Sequence, residues 1–253
     1  MEANLLTRYL LYQLYHARLM LHSFERSKKG EYLHEFRIAL RQVRSLSELF
    51  LADTIQFPEP LKATVKATNP IRELDVLIDS LSSSEYKKLL KQLSKIRKNT
   101  LKNLLSPEFV KETSYLLDEY YNLIDQTDLQ LISEILIQKV LTHYQHCLST
   151  YKSLEKDAKP KTLHRLRIKF KDARYGFEFL DVSGIHKSQK IIQHCKQMQT
   201  SLGAVQDALN QVEWLEKLYL SNPTSELKEL LQKQTKALKK LKDTTLSDRS
   251  PET

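Results

Sequence analysis

The segment LHEFRIALRQVRSLSEL at residues 33–49 recurs as LHRLRIKFKDARYGFEF at residues 163–179. The two copies align without a gap, with His34 on His164, and the same alignment places His16 on His146. Apolar residues recur in both copies every three to four positions, which is the spacing of an amphipathic helix. The repeated segment therefore predicts an all-α, internally duplicated protein.

The composition of the whole chain agrees with a helical fold. The 253 residues include only 4 Gly and 7 Pro, and the abundant Leu, Lys, Gln and Glu residues are strong helix formers. We expect a single domain over residues 1–253, built from two copies of a roughly four-helix unit that face one another. Repeat 1 covers about residues 1–127, repeat 2 covers about 128–243, and residues 244–253 form a frayed polar tail.

Local sequence signals predict where several helices begin and end. Ser106-Pro107-Glu108 combines a capping serine with a proline in the first turn of a helix. Ser82–Glu85 resembles a second helix start of this kind. A long helix is expected from Thr127-Asp128 to Lys159-Pro160, followed by helices at about 161–182, 186–200, 203–221 and 224–243.

The charge of the chain indicates an anionic partner. The 40 Lys and Arg residues exceed the 31 Asp and Glu residues, which gives a formal net charge of +9 and favours nucleic acid, anionic headgroups or a phosphate polymer. No apolar run approaches the roughly 20 residues of a membrane span, and the N-terminal residues lack the order of a signal peptide. We therefore expect a cytoplasmic protein without a membrane partner.

The repeated segment carries its basic residues on one face. On a helical wheel at about 100° per residue, three arginines of the first copy lie within about 80° of His34. The second copy repeats the arrangement, and apolar flanks separate this face from a second polar window that includes Lys169. This pattern predicts a stripe that lines a groove between packed helices. The expected binding residues are His34, Arg37, Arg41, Arg44, His164, Arg167, Lys171 and Arg174.

A solvated helix face is the alternative interpretation of the stripe, because Glu48 and Glu178 stand one turn after Arg44 and Arg174 and could pair with them. We favour the binding interpretation, since two copies with the same spacing are hard to explain as solvated faces alone. Arginine suits a phosphate ligand because its planar guanidinium group binds two phosphate oxygens at once.

A few further residues are weaker candidates. His16 and His146 match between the copies, and Lys91, Lys95 and Lys98 lie on one face of a later helix and could extend a polyanion path.

His143, His146 and Cys147 do not complete a tetrahedral ligand set, and the chain has 2 cysteines in all, so we expect no metal, no cofactor and no disulfide framework.

The doubled motif resembles the paired signatures of the CHAD family, the conserved histidine α-helical domain. Ile71-Arg72-Glu73-Leu74-Asp75-Val76 and Leu202-Gly203-x-x-Gln206-Asp207 are similar to secondary motifs of that family. The resemblance covers about residues 3–243. It implies two pseudo-symmetric four-helix bundles around a central basic groove or pore that binds inorganic polyphosphate, often at polyphosphate granules. Lys171 stands where the family has Arg, and Glu73 stands where it usually has Asp.

The sequence is compatible with three functions. The leading hypothesis is non-catalytic polyphosphate binding by the eight stripe residues, and charge reversal of Arg37 and Arg167 together should then remove binding while helicity is kept. A nucleic-acid binder is less favoured because no groove-reading motif or stacking surface is recognisable. An enzyme that acts on phosphate anhydrides, with His34 or His164 as a phosphate acceptor, is the third. The sequence does not define the oligomeric state.

Overall fold

The computed structural model describes residues 3–81, 86–129, 132–155 and 158–247. In these ranges the chain forms ten α-helices and no β-strand, which confirms the predicted all-α class. The helices are α1 (Ala3–Ser27), α2 (Gly30–Phe50), α3 (Glu59–Ala67), α4 (Asn69–Ser80), α5 (Lys87–Leu104), α6 (Pro107–Gln126), α7 (Ser133–Lys152), α8 (Pro160–Val182), α9 (Gln189–Ser221) and α10 (Ser225–Ser247).

The start of α6 follows the sequence signal. The hydroxyl of Ser106 accepts a hydrogen bond from the amide of Phe109 at 3.1 Å, and Pro107 opens the helix. A bond from its own backbone amide and one from Ser106 lower the pKa of the Glu108 carboxyl, as expected of an acidic group at a helix N-terminus. The capping prediction at 106–108 is therefore confirmed, while the one at Ser82–Glu85 lies outside the described residues.

The expected long helix over residues 127–160 is shorter in the structure, where α7 spans only Ser133–Lys152. Its end is marked by the Ser153 hydroxyl, which donates to the carbonyl of Thr150 at 3.0 Å. Such local side-chain bonds compete with helix propagation. Leu154 then turns into the hydrophobic core, where only 8% of its surface remains exposed.

The expected break near residues 200–203 is also wrong, because α9 runs without interruption from Gln189 to Ser221. Gly203 lies inside this helix and is buried, so it does not act there as a helix stop. The helix α10 continues past residue 243 to Ser247. Leu246 is buried in a core cluster and the Tyr151 hydroxyl donates to the carbonyl of Thr245 at 3.1 Å, which holds this last turn.

The helices form two compact units: Met1–Lys139 with Phe179–His186, and Val140–Glu178 with Lys187–Thr253. In the first unit, α1 packs against α2 and α6, and α4 packs against α5. Tyr120 is buried there, stacks edge-on against Phe57 at 5.4 Å, and donates from its hydroxyl to Ser47 at 2.8 Å. Burial raises the pKa of Tyr120 to about 12.

The second unit has its own core. The helix α9 packs against α10, and a buried cluster includes Leu166, Phe170, Cys147 and Cys195. Burial raises the pKa of both thiols to about 12, so they behave as small apolar core residues. Among the described helices, none is both long and apolar enough to cross a membrane.

Candidate functional site

The two stripes lie on α2 and α8, as the wheel predicts, but they are buried to different degrees. On α2, His34 and Arg41 are half-buried, Arg44 is exposed and Arg37 is buried with 4% of its surface accessible. On α8, all of the stripe residues, His164, Arg167, Lys171 and Arg174, are half-buried. The α2 stripe belongs to the first unit and the α8 stripe to the second.

The guanidinium group of Arg37 binds the junction between α3 and α4. Its Nη1 donates to the carbonyl of Val65 at 2.7 Å and to the hydroxyl of Thr68. Its Nη2 donates to Oδ1 of Asn69 at 2.6 Å. These three acceptors satisfy most of the donors on the group, so Arg37 ties α2 to the helix junction.

Burial, together with the nearby cations Arg41 and Arg72, lowers the pKa of Arg37 to about 9, and Glu73 partly offsets this shift. The structure therefore brings Arg37 and Arg41 together and adds Arg72 to them. The wheel did not show that Arg37 would be buried, because it places a residue on a face and does not show which segment covers that face.

Arg167 holds the position of Arg37 in the second copy and has different surroundings. Its Nε is buried and has no hydrogen-bond partner among the described residues. The side chain lies against Gly203 of α9: a Cβ built on that glycine would be 3.1 Å from Nε and 3.6 Å from Nη2 of Arg167. Gly203 therefore leaves the space in which the guanidinium group lies.

Asn69 and Gly203 correspond to one another in the sequence. The secondary motifs align Glu73 with Asp207, and the same alignment, continued four positions towards the N-terminus, places Asn69 on Gly203. In the first unit this position supplies an acceptor to Arg37, and in the second it supplies only a hydrogen atom. The alignment of the secondary motifs could have identified this pair, but the wheel of α2 or α8 alone could not.

The last arginine of each stripe pairs with a carboxylate, as the alternative interpretation predicts. Nε of Arg44 lies 2.8 Å from Oε1 of Glu48, and Lys62 lies 3.7 Å from the same oxygen. On α8, Nη1 of Arg174 lies 3.7 Å from Oε1 of Glu178, with Lys196 at 3.9 Å. The alignment of the secondary motifs also places Lys62 on Lys196. Each glutamate thus contacts two cations.

Arg174 keeps further binding capacity in spite of this pair. Its guanidinium carbon lies 4.7 Å from the ring centre of Tyr175, a cation–π contact. Its Nε is buried and, like that of Arg167, has no hydrogen-bond partner among the described residues. The α8 stripe therefore contains two buried guanidinium donors that lack an acceptor in the part of the chain that the structure describes.

The weaker histidine candidates have local contacts. His16 lies 4.0 Å from Glu35 and stacks on Tyr12 with ring centres 6.3 Å apart. Nε2 of His146 lies 2.8 Å from Nζ of Lys169. Each histidine thus contacts a residue on the stripe helix of its own unit, but the contacted residue, Glu35 or Lys169, is not part of the stripe.

The lysine candidates lie on the exposed face of α5. Lys91, Lys95 and Lys98 are exposed, and none forms an ion pair with a described residue. The neighbouring Arg97 instead pairs with Asp75 and contributes to the packing of α4 against α5.

His143 and Cys147 of α7 contact the backbone of α8 and the hydrophobic core, respectively. Nε2 of His143 lies 3.0 Å from the carbonyl of Lys169, and burial lowers the pKa of His143. Cys147 is fully buried. No group of three or more potential metal ligands occurs among the described residues.

The fold and the site define a helical protein with half-buried basic residues at matching positions of two helices. A family model described as CHAD domain matches residues 9–216, and the chain therefore belongs to the CHAD domain family. The crystal structure of the CHAD domain from the plant Ricinus communis is similar, with a TM-score of 0.76 and 20% identity over 98% of this chain and 88% of that chain. That likeness shows the fold. No curated protein matches the chain.

Proposed function

We propose that this protein binds inorganic polyphosphate without converting it chemically. The observation that carries the proposal is the pair of buried Nε atoms on α8, in Arg167 and Arg174. A buried donor without an acceptor costs about 1–3 kcal/mol, and phosphate oxygens are strong acceptors that guanidinium groups bind bidentately. Both arginine side chains are only half-buried, so a phosphate chain along α8 can reach their guanidinium groups and supply the acceptors that they lack.

The stripes of the two units contribute differently in this proposal. His164, Arg167, Lys171 and Arg174 contact the phosphate chain, together with the half-buried His34 and Arg41. Arg37 acts as a positioning residue, because its donors are directed to Val65, Thr68 and Asn69. Arg37 therefore supports the site from within the fold, whereas the sequence pattern alone places it among the ligand-binding residues.

The proposal includes an internal duplication, with two related helical bundles that line a central basic groove or pore. The matching contacts of Glu48 and Glu178 support it, since each carboxylate meets an arginine four residues earlier and a lysine from a later helix. Association with polyphosphate granules in the cytoplasm is the cellular role that we propose for such a binder.

A competition experiment tests the ligand class. Labelled polyphosphate bound to the full chain is challenged with unlabelled polyphosphate, transfer RNA or duplex DNA at equal phosphate concentration. We expect only polyphosphate to displace the label efficiently. Equal displacement by the nucleic acids would contradict the proposal and support a general nucleic-acid binder.

A second experiment tests the absence of catalysis. The protein is incubated with polyphosphate and Mg²⁺, and both free phosphate and acid-labile phosphohistidine are measured. We expect neither product above the level without protein. Turnover that is lost in His34→Gln or His164→Gln would instead make this chain an enzyme on phosphate anhydrides.

A further inference from the structure

The helix α5 differs from its neighbours in charge. It carries seven basic residues and no acidic residue. Arg97 forms an ion pair with Asp75. The remaining cations are lysines whose side chains are exposed. We call these the α5 lysine ridge: Lys87, Lys88, Lys91, Lys95, Lys98 and Lys102.

The ridge is narrow and straight. At about 100° per residue the six lysines fall within an arc of about 100°, and from Lys87 to Lys102 the helix rises about 22 Å. Leu89, Leu93 and Leu101 are buried and fall outside this arc. The buried side fixes the rotation of the helix, so the lysines form one continuous row.

The charges in this row repel one another, and α5 itself has no acidic residue to offset them. None of the six lysines forms an ion pair with a described residue. Pairs of like charge four residues apart, such as Lys91 with Lys95, each destabilise a helix by a few tenths of a kcal/mol. The helix α10 also has six lysines, but Glu226, Glu229 and Asp243 are interspersed with them.

The chemistry of the ridge favours a linear phosphate polymer over the other polyanions. The helix has no aromatic residue on which a base could stack. None of the exposed large apolar residues lies on the described part of α5, whereas helices that insert into a membrane surface present such residues beside their lysines. Lysine acts as a point charge without geometric preference, which suits contact with a flexible chain of phosphates.

We propose that the α5 lysine ridge is a second contact surface for polyphosphate, which long chains occupy in addition to the arginine stripes. This inference rests on the proposed polyphosphate-binding function. Tripolyphosphate has too few phosphates to contact two surfaces at once, and it binds at the stripes because arginine contacts phosphate bidentately whereas lysine acts as a point charge. The ridge therefore makes binding depend on chain length and on salt.

The test compares two variants of the full chain that lose the same charge. Lys91→Gln/Lys95→Gln/Lys98→Gln changes the ridge, and the control Lys233→Gln/Lys236→Gln/Lys239→Gln changes exposed lysines of α10. Glutamine is a good helix former, so both variants should fold, and circular dichroism checks this. Affinity for long-chain polyphosphate and for tripolyphosphate is measured from low to high NaCl.

A plot of log K against log salt has a negative slope, and we expect the ridge variant to make this slope shallower by about 2 for long chains. This corresponds to about 0.7 for each of the three lost phosphate contacts. Tripolyphosphate binding should stay unchanged, and the control should alter the long-chain slope much less. Equal effects of the two variants would overturn the inference while leaving the proposed function intact. A wild type that binds neither tripolyphosphate nor long chains would overturn both.

The same variants are measured with vesicles that contain phosphatidylserine. We expect no saturable vesicle binding by the wild type. Vesicle binding that the ridge variant loses and the α10 control keeps, with long-chain polyphosphate affinity unchanged, would assign the ridge to a lipid surface and overturn the inference.

Discussion

Arg37 and Arg167 stand at the same place in the repeated segment, and their guanidinium groups meet different surroundings. Arg37 donates to Val65, Thr68 and Asn69, whereas Nε of Arg167 has no acceptor among the described residues and lies against Gly203. The comparison teaches that the same arginine of a repeated motif can hold the fold together in one copy and remain available to a ligand in the other. A single position on the facing helix, Asn69 or Gly203, contributes to the difference.

The largest effect is expected for Arg37→Gln, and it should fall on stability. The change removes the hydrogen bonds that hold the α3–α4 junction to α2, and bonds to a charged group contribute about 1.5–3 kcal/mol each. We expect the free energy of unfolding to fall by about 2–4 kcal/mol. Denaturant titration measures it.

Arg44→Gln is the matched control for this prediction, because it removes an exposed arginine from the same helix. An exposed ion pair contributes at most about 1 kcal/mol, so this variant should stay close to the wild type. If Arg37→Gln proved as stable as Arg44→Gln while losing polyphosphate affinity, Arg37 would be a ligand-binding residue like Arg167. The joint charge reversal of Arg37 and Arg167 cannot make this distinction, since reversal at the buried Arg37 would also disturb the fold.

The next effect concerns Gly203. Its replacement by asparagine should give Arg167 surroundings similar to those of Arg37. Gly203→Asn places a side chain against Arg167 and offers it an acceptor, as Asn69 does for Arg37. We expect polyphosphate affinity to fall about fivefold, which corresponds to about 1 kcal/mol. Calorimetric titration of the variant against Thr200→Asn, an exposed change on the same helix, measures this.

Gly203→Ala provides a smaller step in case the asparagine does not fit. Alanine favours a helix by up to about 1 kcal/mol over glycine, but its Cβ would be 3.1 Å from Nε of Arg167. Stability and affinity should therefore move in opposite directions. An alanine variant with undiminished affinity would show that the position of Arg167 does not depend on Gly203.

The last effect is expected for Asn69→Ala, and it should fall on stability alone. Arg37 loses one of its acceptors and keeps Val65 and Thr68, so the free energy of unfolding should fall by about 1 kcal/mol. Affinity for polyphosphate should not change. A clear loss of affinity with unchanged stability would mean that Asn69 positions a ligand contact.

The sequence allowed the helical class, the stripe positions and the α6 start at Ser106 to be predicted, because each depends on local spacing and capping chemistry. It did not allow the burial of Arg37 to be predicted, since the acceptors Val65, Thr68 and Asn69 belong to a later part of the chain and meet it only through packing. The helix break predicted near residues 200–203 is wrong, because Gly203 lies inside α9. Its role depends on Arg167, which lies on another helix.

The most direct test of the account is calorimetric titration of tripolyphosphate into the wild type, Arg167→Gln and the control Arg165→Gln. Arg165 is exposed on the same helix, so both variants lose one charge from α8. The account predicts that Arg167→Gln lowers the affinity about 10-fold or more, as the loss of a charge-assisted contact implies, with an unchanged melting temperature, while Arg165→Gln has little effect. Equal affinities of the two variants would contradict the assignment of the α8 stripe as the binding site.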